Sequence, residues 1–161
     1  MTEGAPIRVV VLAAGNDARG DDALGPLLLA RIEALGIDAV RCVFDFQFQV
    51  EHALDLGEAD LALFVDAHAD QVEPARLGQI EAARRPPTGS HALSPDEVLQ
   101  VYARVCSADA PPCFMLSLRG ETFELGAGLS RAAEESLEAG WALAQRLFDC
   151  PDANRWRTHC A

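Results

Sequence analysis

Paired cysteines, basic charge and long apolar runs are all scarce in this chain, and each shortage closes off a class of function. None of the five cysteines (Cys42, Cys106, Cys113, Cys150 and Cys160) forms a C-x-x-C pair. A cysteine-rich zinc site therefore lacks a framework. Their odd number leaves at least one free, so reduced thiols, several of them buried, are expected. Thirteen basic side chains stand against twenty-five acidic ones, a formal charge of −12. Nucleic acid and anionic membranes are poor partners for such a surface. A basic protein or a metal cation suits it, and the acid also serves plain solubility. No apolar run approaches the ~20 residues of a membrane span. The opening MTEGAPIRVVVLAAG sets Glu3 ahead of a short valine run, without the charged, apolar, small order of a secretory signal. The expectation is cytoplasmic residence.

Several catalytic signatures are missing too. The loop at 15–20 has neither the lysine nor the hydroxyl residue of a phosphate-binding loop. Gly15, Gly20 and Gly25 are spaced by five, not by the shorter steps of a dinucleotide fingerprint. This argues against a nucleotide-binding domain. There is no G-x-S-x-G elbow and no H-E-x-x-H helix. A Cys–His nucleophilic pair stays open, since such partners meet only in space.

What is present is a chain of 161 residues, half of them apolar, enough for one domain spanning 1–161 with a genuine core. Its organising stretch is 13–26, AAGNDARGDDALGP. The run at 7–12 ahead of it contains three valines in succession and reads as a buried strand. Gly15-Asn16 marks a turn, and 17–22 a polar loop. Apolar spacing resumes at Leu24, Leu27, Leu28 and Ile32, predicting a helix over 22–35 stopped by Gly36. Strands follow at 37–44 and 59–65, with 45–50 extending the first or leaving it as a loop. A short helix at 51–56 lies between them. Strand, helix, strand predicts a mostly parallel sheet covered by helices on both faces.

Beyond Asp66, 67–76 reads as a loop, 77–82 as a short edge strand and the proline-rich 84–90 as another loop closed by His91. Ser94-Pro95-Asp96-Glu97 is a strong helix start, predicting a helix to about Cys106. A strand at 113–119 follows, then a shorter one at 123–125 and a long amphipathic helix at 130–148. The tail, 149–161, is expected to pack loosely.

Asp22 and Asp66 each follow an apolar strand, at what should be the same sheet edge, and open α/β sheets place their chemistry there. His91, just ahead of a helix, is a third position able to reach that edge. Two carboxylates and one imidazole can hold a divalent metal and leave positions open. Taken singly, each aspartate is equally explained as a helix cap or a solvated loop acid. Asp66, His68 and Asp70 would share one face if the strand ran on; in a loop that geometry is lost, and His68 stays open as a supplementary ligand. Asp21 reads as solvated or as a helix cap, with orienting the neighbouring ligand as the other role. His52, beside Glu51 and Asp55, reads as a surface residue. His159 and Cys160 lie on a tail that is a poor scaffold for a site.

These blocks together resemble the maturation endopeptidases of nickel–iron hydrogenases. Gly15-Asn16, Gly20-Asp21-Asp22 and Gly25-Pro26 resemble the family's first signature, and Leu63-Phe64-Val65-Asp66-Ala67 its second. Ser90-His91-Ala92-Leu93-Ser94 matches the third, and the closing pattern corresponds to CFMLSLRG, Phe123-Glu124-Leu125-Gly126 and Gly128-Leu129-Ser130. The chain departs from the family at 44–51, without the glycine-rich turn many relatives carry, and at 66–70, where a histidine is added. Both departures bear on substrate choice. The resemblance implies a three-layer α/β sandwich of the phosphorylase/hydrolase-like kind. It implies a metal-contacting trio at Asp22, Asp66 and His91, in which metal binding and catalysis are not separable. The implied activity removes a C-terminal extension from a hydrogenase large-subunit precursor after nickel insertion. The nickel comes with the precursor, no organic cofactor is needed, and a monomer is expected. A non-catalytic metal- or partner-binding module, a maturation chaperone, is the alternative. Because neutral His91 is needed as a ligand, activity should fall as pH drops through the histidine range, near ~6.5.

Overall fold

The computed structural model describes residues 4–86, 89 and 92–161. Five strands, β1 (Val9–Ala14), β2 (Val40–Asp45), β3 (Leu61–His68), β4 (Ala75–Ile80) and β5 (Cys113–Arg119), form one sheet in the order β2-β1-β3-β5-β4. Every neighbouring pair is parallel except β4 with β5. The helices are α1 (Leu24–Glu33), α2 (His52–Asp55), α3 (Pro95–Cys106), α4 (Arg131–Asp149) and α5 (Ala153–Arg157).

Side chains alternate across a strand, so β1 divides its apolar run between two cores. Val9, Val11 and Ala13 pack with Leu24, Leu28 and Ile32 of α1, Leu147 of α4 and Trp156 of α5. Val10, Leu12 and Ala14 pack on the other face with Ala53 of α2 and Val98, Leu99 and Tyr102 of α3. The sheet is thus covered on both sides, which is why β1 and the start of β3 read as unbroken apolar runs. This is the three-layer α/β architecture expected.

Most boundaries move by a residue or two. Four differences have a clear cause. A 3-10 turn, Gly20–Ala23, precedes α1, so Asp22 belongs to that turn and not to the helix. β3 does not stop at Val65: Asp66, Ala67 and His68 pair with Ser117, Leu118 and Arg119, because β5 is long enough to continue the ladder. Residues 123–125 form no strand and belong to the loop leading to α4. The tail is not loose. Trp156 is 0% exposed, donates its indole N–H to the Leu147 carbonyl at 2.8 Å and meets the rings of Phe114 and Phe148 edge-on. One buried tryptophan contributes roughly 3–5 kcal/mol, enough to hold so short a segment.

Candidate functional site

The site is built where β1 and β3 end. Gly15 has a φ of +146°, and a Cβ there would run into the Asp22 carbonyl. Gly25, in the first turn of α1, lies so close to the Ala14 carbonyl that it too has no room for a Cβ. Together these glycines let the loop after β1 fold back over the strand ends. Asn16 N–H donates to Asp22 Oδ2 at 2.8 Å, and Asn16 Oδ1 accepts from Ala18 N–H at 2.9 Å. That fixes the Asp22 carboxylate at the sheet edge.

Asp66 reaches the same place from β3. It is half-buried, and its Oδ1 accepts from its neighbour, Ala67 N–H, at 2.8 Å. Burial pushes its pKa up to about 7; the Ala67 hydrogen bond opposes this, and the nearby charge of Asp22 adds to it. A half-buried carboxylate with a second negative charge nearby is a place that a divalent cation would relieve. Asp22 and Asp66, both expected at this edge, do end near it, close enough for the charge of Asp22 to reach Asp66. His91, the third expected position, lies outside the described residues, as does Ser90. Among the described residues no group of three His, Cys, Asp or Glu side chains is placed to hold one ion.

Asp21 differs most from expectation. It is 0% exposed, and its Oδ2 accepts from Glu121 N–H (2.7 Å), Thr122 N–H (3.0 Å) and Ser130 Oγ–H (2.6 Å). Its Oδ1 accepts from Ser130 N–H at 2.8 Å. Burial raises its pKa, but these hydrogen bonds outweigh burial and hold the carboxyl below its usual range. Ser130 meanwhile caps α4, its Oγ accepting from Ala133 N–H at 3.1 Å. Asp21 is therefore a tether: it ties the turn carrying Asp22 to the loop between β5 and α4. Backbone bonds from Asp21 N–H to Thr122 O (2.7 Å) and from Gly126 N–H to Ala18 O (2.7 Å) complete the clamp. The adjacent aspartates looked alike in sequence, and only the distant partners separate their roles.

The remaining histidines and acids also find their places. His68 sits on the extension of β3 and shares a face with Asp66. Partial desolvation lowers its pKa against the pull of Asp70, favouring the neutral ring. Asp70 lies beyond the strand and is exposed. His52 is no surface residue: it is 4% exposed, its Nδ1 accepting from Gln49 N–H at 2.8 Å and its Nε2 lying 3.5 Å from Asp45 Oδ2. It braces the loop between β2 and α2. Cys160 packs against the α1–α4 side of the sheet, away from the face that Asp66 shares with His68.

No protein-family model and no curated protein sequence matches the chain. Solved structures do match its fold. The hydrogenase maturating endopeptidase HybD from E. coli superposes with a TM-score of 0.67 at 21% identity, over 89% of this chain and 93% of that one. The NiFe-hydrogenase maturation protease HycI from Thermococcus kodakarensis gives a TM-score of 0.64, again at 21% identity and with coverage of 89% and 93%. A hydrogenase 2 maturation peptidase from a Thaumarchaeota archaeon gives 0.62 at 17% identity, covering 88% of this chain and 97% of that one. The fold is therefore shared with proteins of that description across nearly the whole chain.

Proposed function

We propose that this chain is an endopeptidase that removes the C-terminal extension of a hydrogenase large-subunit precursor once nickel has been inserted. Asp22, Asp66 and His91 contact the nickel that the precursor carries. The observation that carries this reading is Asp22 and Asp66 near one sheet edge, where the charge of Asp22 reaches the half-buried Asp66, in a fold shared with such proteases. A carboxylate pair that repels itself gains most when a cation arrives, so a nickel-loaded precursor gains an interaction that the empty one lacks. Docking then holds the scissile peptide beside the site, and orientation supplies much of the rate. The reaction fits a cytoplasmic protein that needs no resident organic cofactor. No helix among the described residues is long and apolar enough to cross a membrane.

The test is direct. Incubate the chain with nickel-loaded and nickel-free precursor, and weigh the precursor by mass spectrometry. A discrete C-terminal loss in the loaded sample alone is the expected result. Tight binding of loaded precursor with no mass change would replace the protease with a non-catalytic maturation chaperone.

A further inference from the structure

Between β4 and α3 runs the loop whose sequence contains His91, and the described residues on its two sides are tied to one another. On the β4 side, Ala83 N–H donates to the Asp96 carbonyl at 2.9 Å. Arg85 follows, and its contacts are several. The guanidinium donates to both carboxylate oxygens of Asp96, at 2.9 Å and 3.5 Å, and to the Ser94 hydroxyl at 3.2 Å. The Glu97 carboxylate lies 3.6 Å from it. The Arg85 carbonyl accepts from Gln100 Nε2–H at 2.7 Å, so a buried side chain of α3 is spent on this exposed loop residue. Ser94 is the cap of α3, and Asp96 and Glu97 belong to its first turn, so Arg85 grips the helix start itself.

The α3 side of the loop has an anchor of its own. Leu93 N–H donates to the Phe48 carbonyl at 2.9 Å, and Phe48 is buried with its ring edge-on to Phe64 at 5.2 Å. The stretch 44–51, where the chain departs from the family pattern, is thereby joined to the loop.

An exposed ion pair adds little to global stability. The effect of this one is geometric. Arg85 and Ser94 stand nine positions apart and meet side chain to side chain, which closes a short loop and bounds the span open to the residues between. His91 lies three positions before Ser94. A ligand on a loop with untied ends has to be ordered when the substrate docks, and that ordering is subtracted from affinity. Sites held within a fraction of an ångström need such support from residues that never touch the substrate.

We infer that Arg85 is a positioning residue, whose clasp on Ser94 and Asp96 sets the loop so that His91 joins Asp22 and Asp66 on the precursor's nickel. The inference rests on the proposed trio for its target, but not for the clasp. A guanidinium fork matches a carboxylate with two parallel contacts, which a lysine ammonium cannot reproduce.

Four proteins test it: the parent chain, R85Q, H91A and the double variant. Binding of nickel-loaded precursor is read by stopped-flow fluorescence before any cutting, and cleavage afterwards by mass spectrometry. R85Q should weaken binding about ten-fold in the parent and add nothing to H91A, because an arginine acting through His91 has no role once His91 is gone. R85K, with the charge but not the fork, should fall between the parent and R85Q. With nickel-free precursor, R85Q should bind as the parent does. An equal loss on both backgrounds, an equal loss with nickel-free precursor, or no loss in the parent overturns the inference. The coupled loss in a chain that binds loaded precursor without cutting it removes the protease reading and leaves Arg85 in its role.

Discussion

At the scale of single residues, Asp21 in the first loop and Asp66 on β3 show how environment divides one chemistry into two tasks. Asp21 is saturated with donors and stays ionised; Asp66, facing Asp22, holds a proton until pH about 7. The sign for Asp66 is the reverse of the usual carboxylate. Between its ordinary value of 3.8 and about 7 the folded chain keeps a proton that the unfolded chain has released. Folding is therefore favoured in the acid half of that window and loses ground as pH rises through it. D66N removes this penalty and keeps a side-chain oxygen for Ala67 N–H. It should be more stable than the parent by about 2 kcal/mol at pH 8, with the gap closing toward pH 4, as read from thermal melts at the two pH values. The same variant should abolish precursor processing. Equal melting temperatures at pH 8 would mean that burial does not hold the Asp66 carboxyl up. If the proposed metal contact is made through the ionised carboxylate, processing by the parent chain should decline as pH falls below 7, the direction also expected of the proposed neutral His91.

At the scale of elements, the position of α1 decides whether Asp22 meets Asp66 at all. In an ordinary exposed helix, replacing glycine by alanine gains up to about 1 kcal/mol. Gly25→Ala should do the opposite here, since the new methyl group meets the Ala14 carbonyl and pushes the helix start off the strand ends. A loss of roughly 2–4 kcal/mol, measured from the urea midpoint, together with lost processing, is the expected outcome. A stabilised variant would show that the close approach is not real. Much of this layer was legible in sequence, and for definite reasons. Ser94-Pro95-Asp96-Glu97 announced α3, and Glu97 does accept from Ser94 N–H at 3.0 Å. The valines of β1 announced a strand buried on both faces. What could not be read were features set by partners far along the chain. β3 runs three residues past its apolar run because β5 offers a ladder, and α5 docks because Trp156 finds Phe114 and Phe148. His52 looked like a surface residue because its buried contacts lie in the irregular loop ahead of it.

At the scale of the whole molecule, the acidic surface and the ordered edge act together. Twenty-five acids against thirteen bases make the folded state repel itself, and the observed ion pairs on arginine are mostly exposed and weak. Added salt should therefore raise the melting temperature by a few degrees between about 20 mM and about 300 mM sodium chloride, because it screens net repulsion more than it weakens those pairs. A flat or falling melting temperature would show that the pairs outweigh the net charge. The candidate site was legible to the extent of its two aspartates. The separate task of Asp21 was not, because its partners Glu121, Thr122 and Ser130 lie far along the chain.

The bond from Ser130 to Asp21 spans 109 residues of chain. While the protein is being made, the turn that carries Asp22 emerges early but has nothing to hold it until Ser130 has left the ribosome. Contacts so distant in sequence are among the slowest to form. A partly synthesised chain thus displays its first strand and loop with the turn of Asp22 untied, and the edge is set only when this late segment closes on the early one.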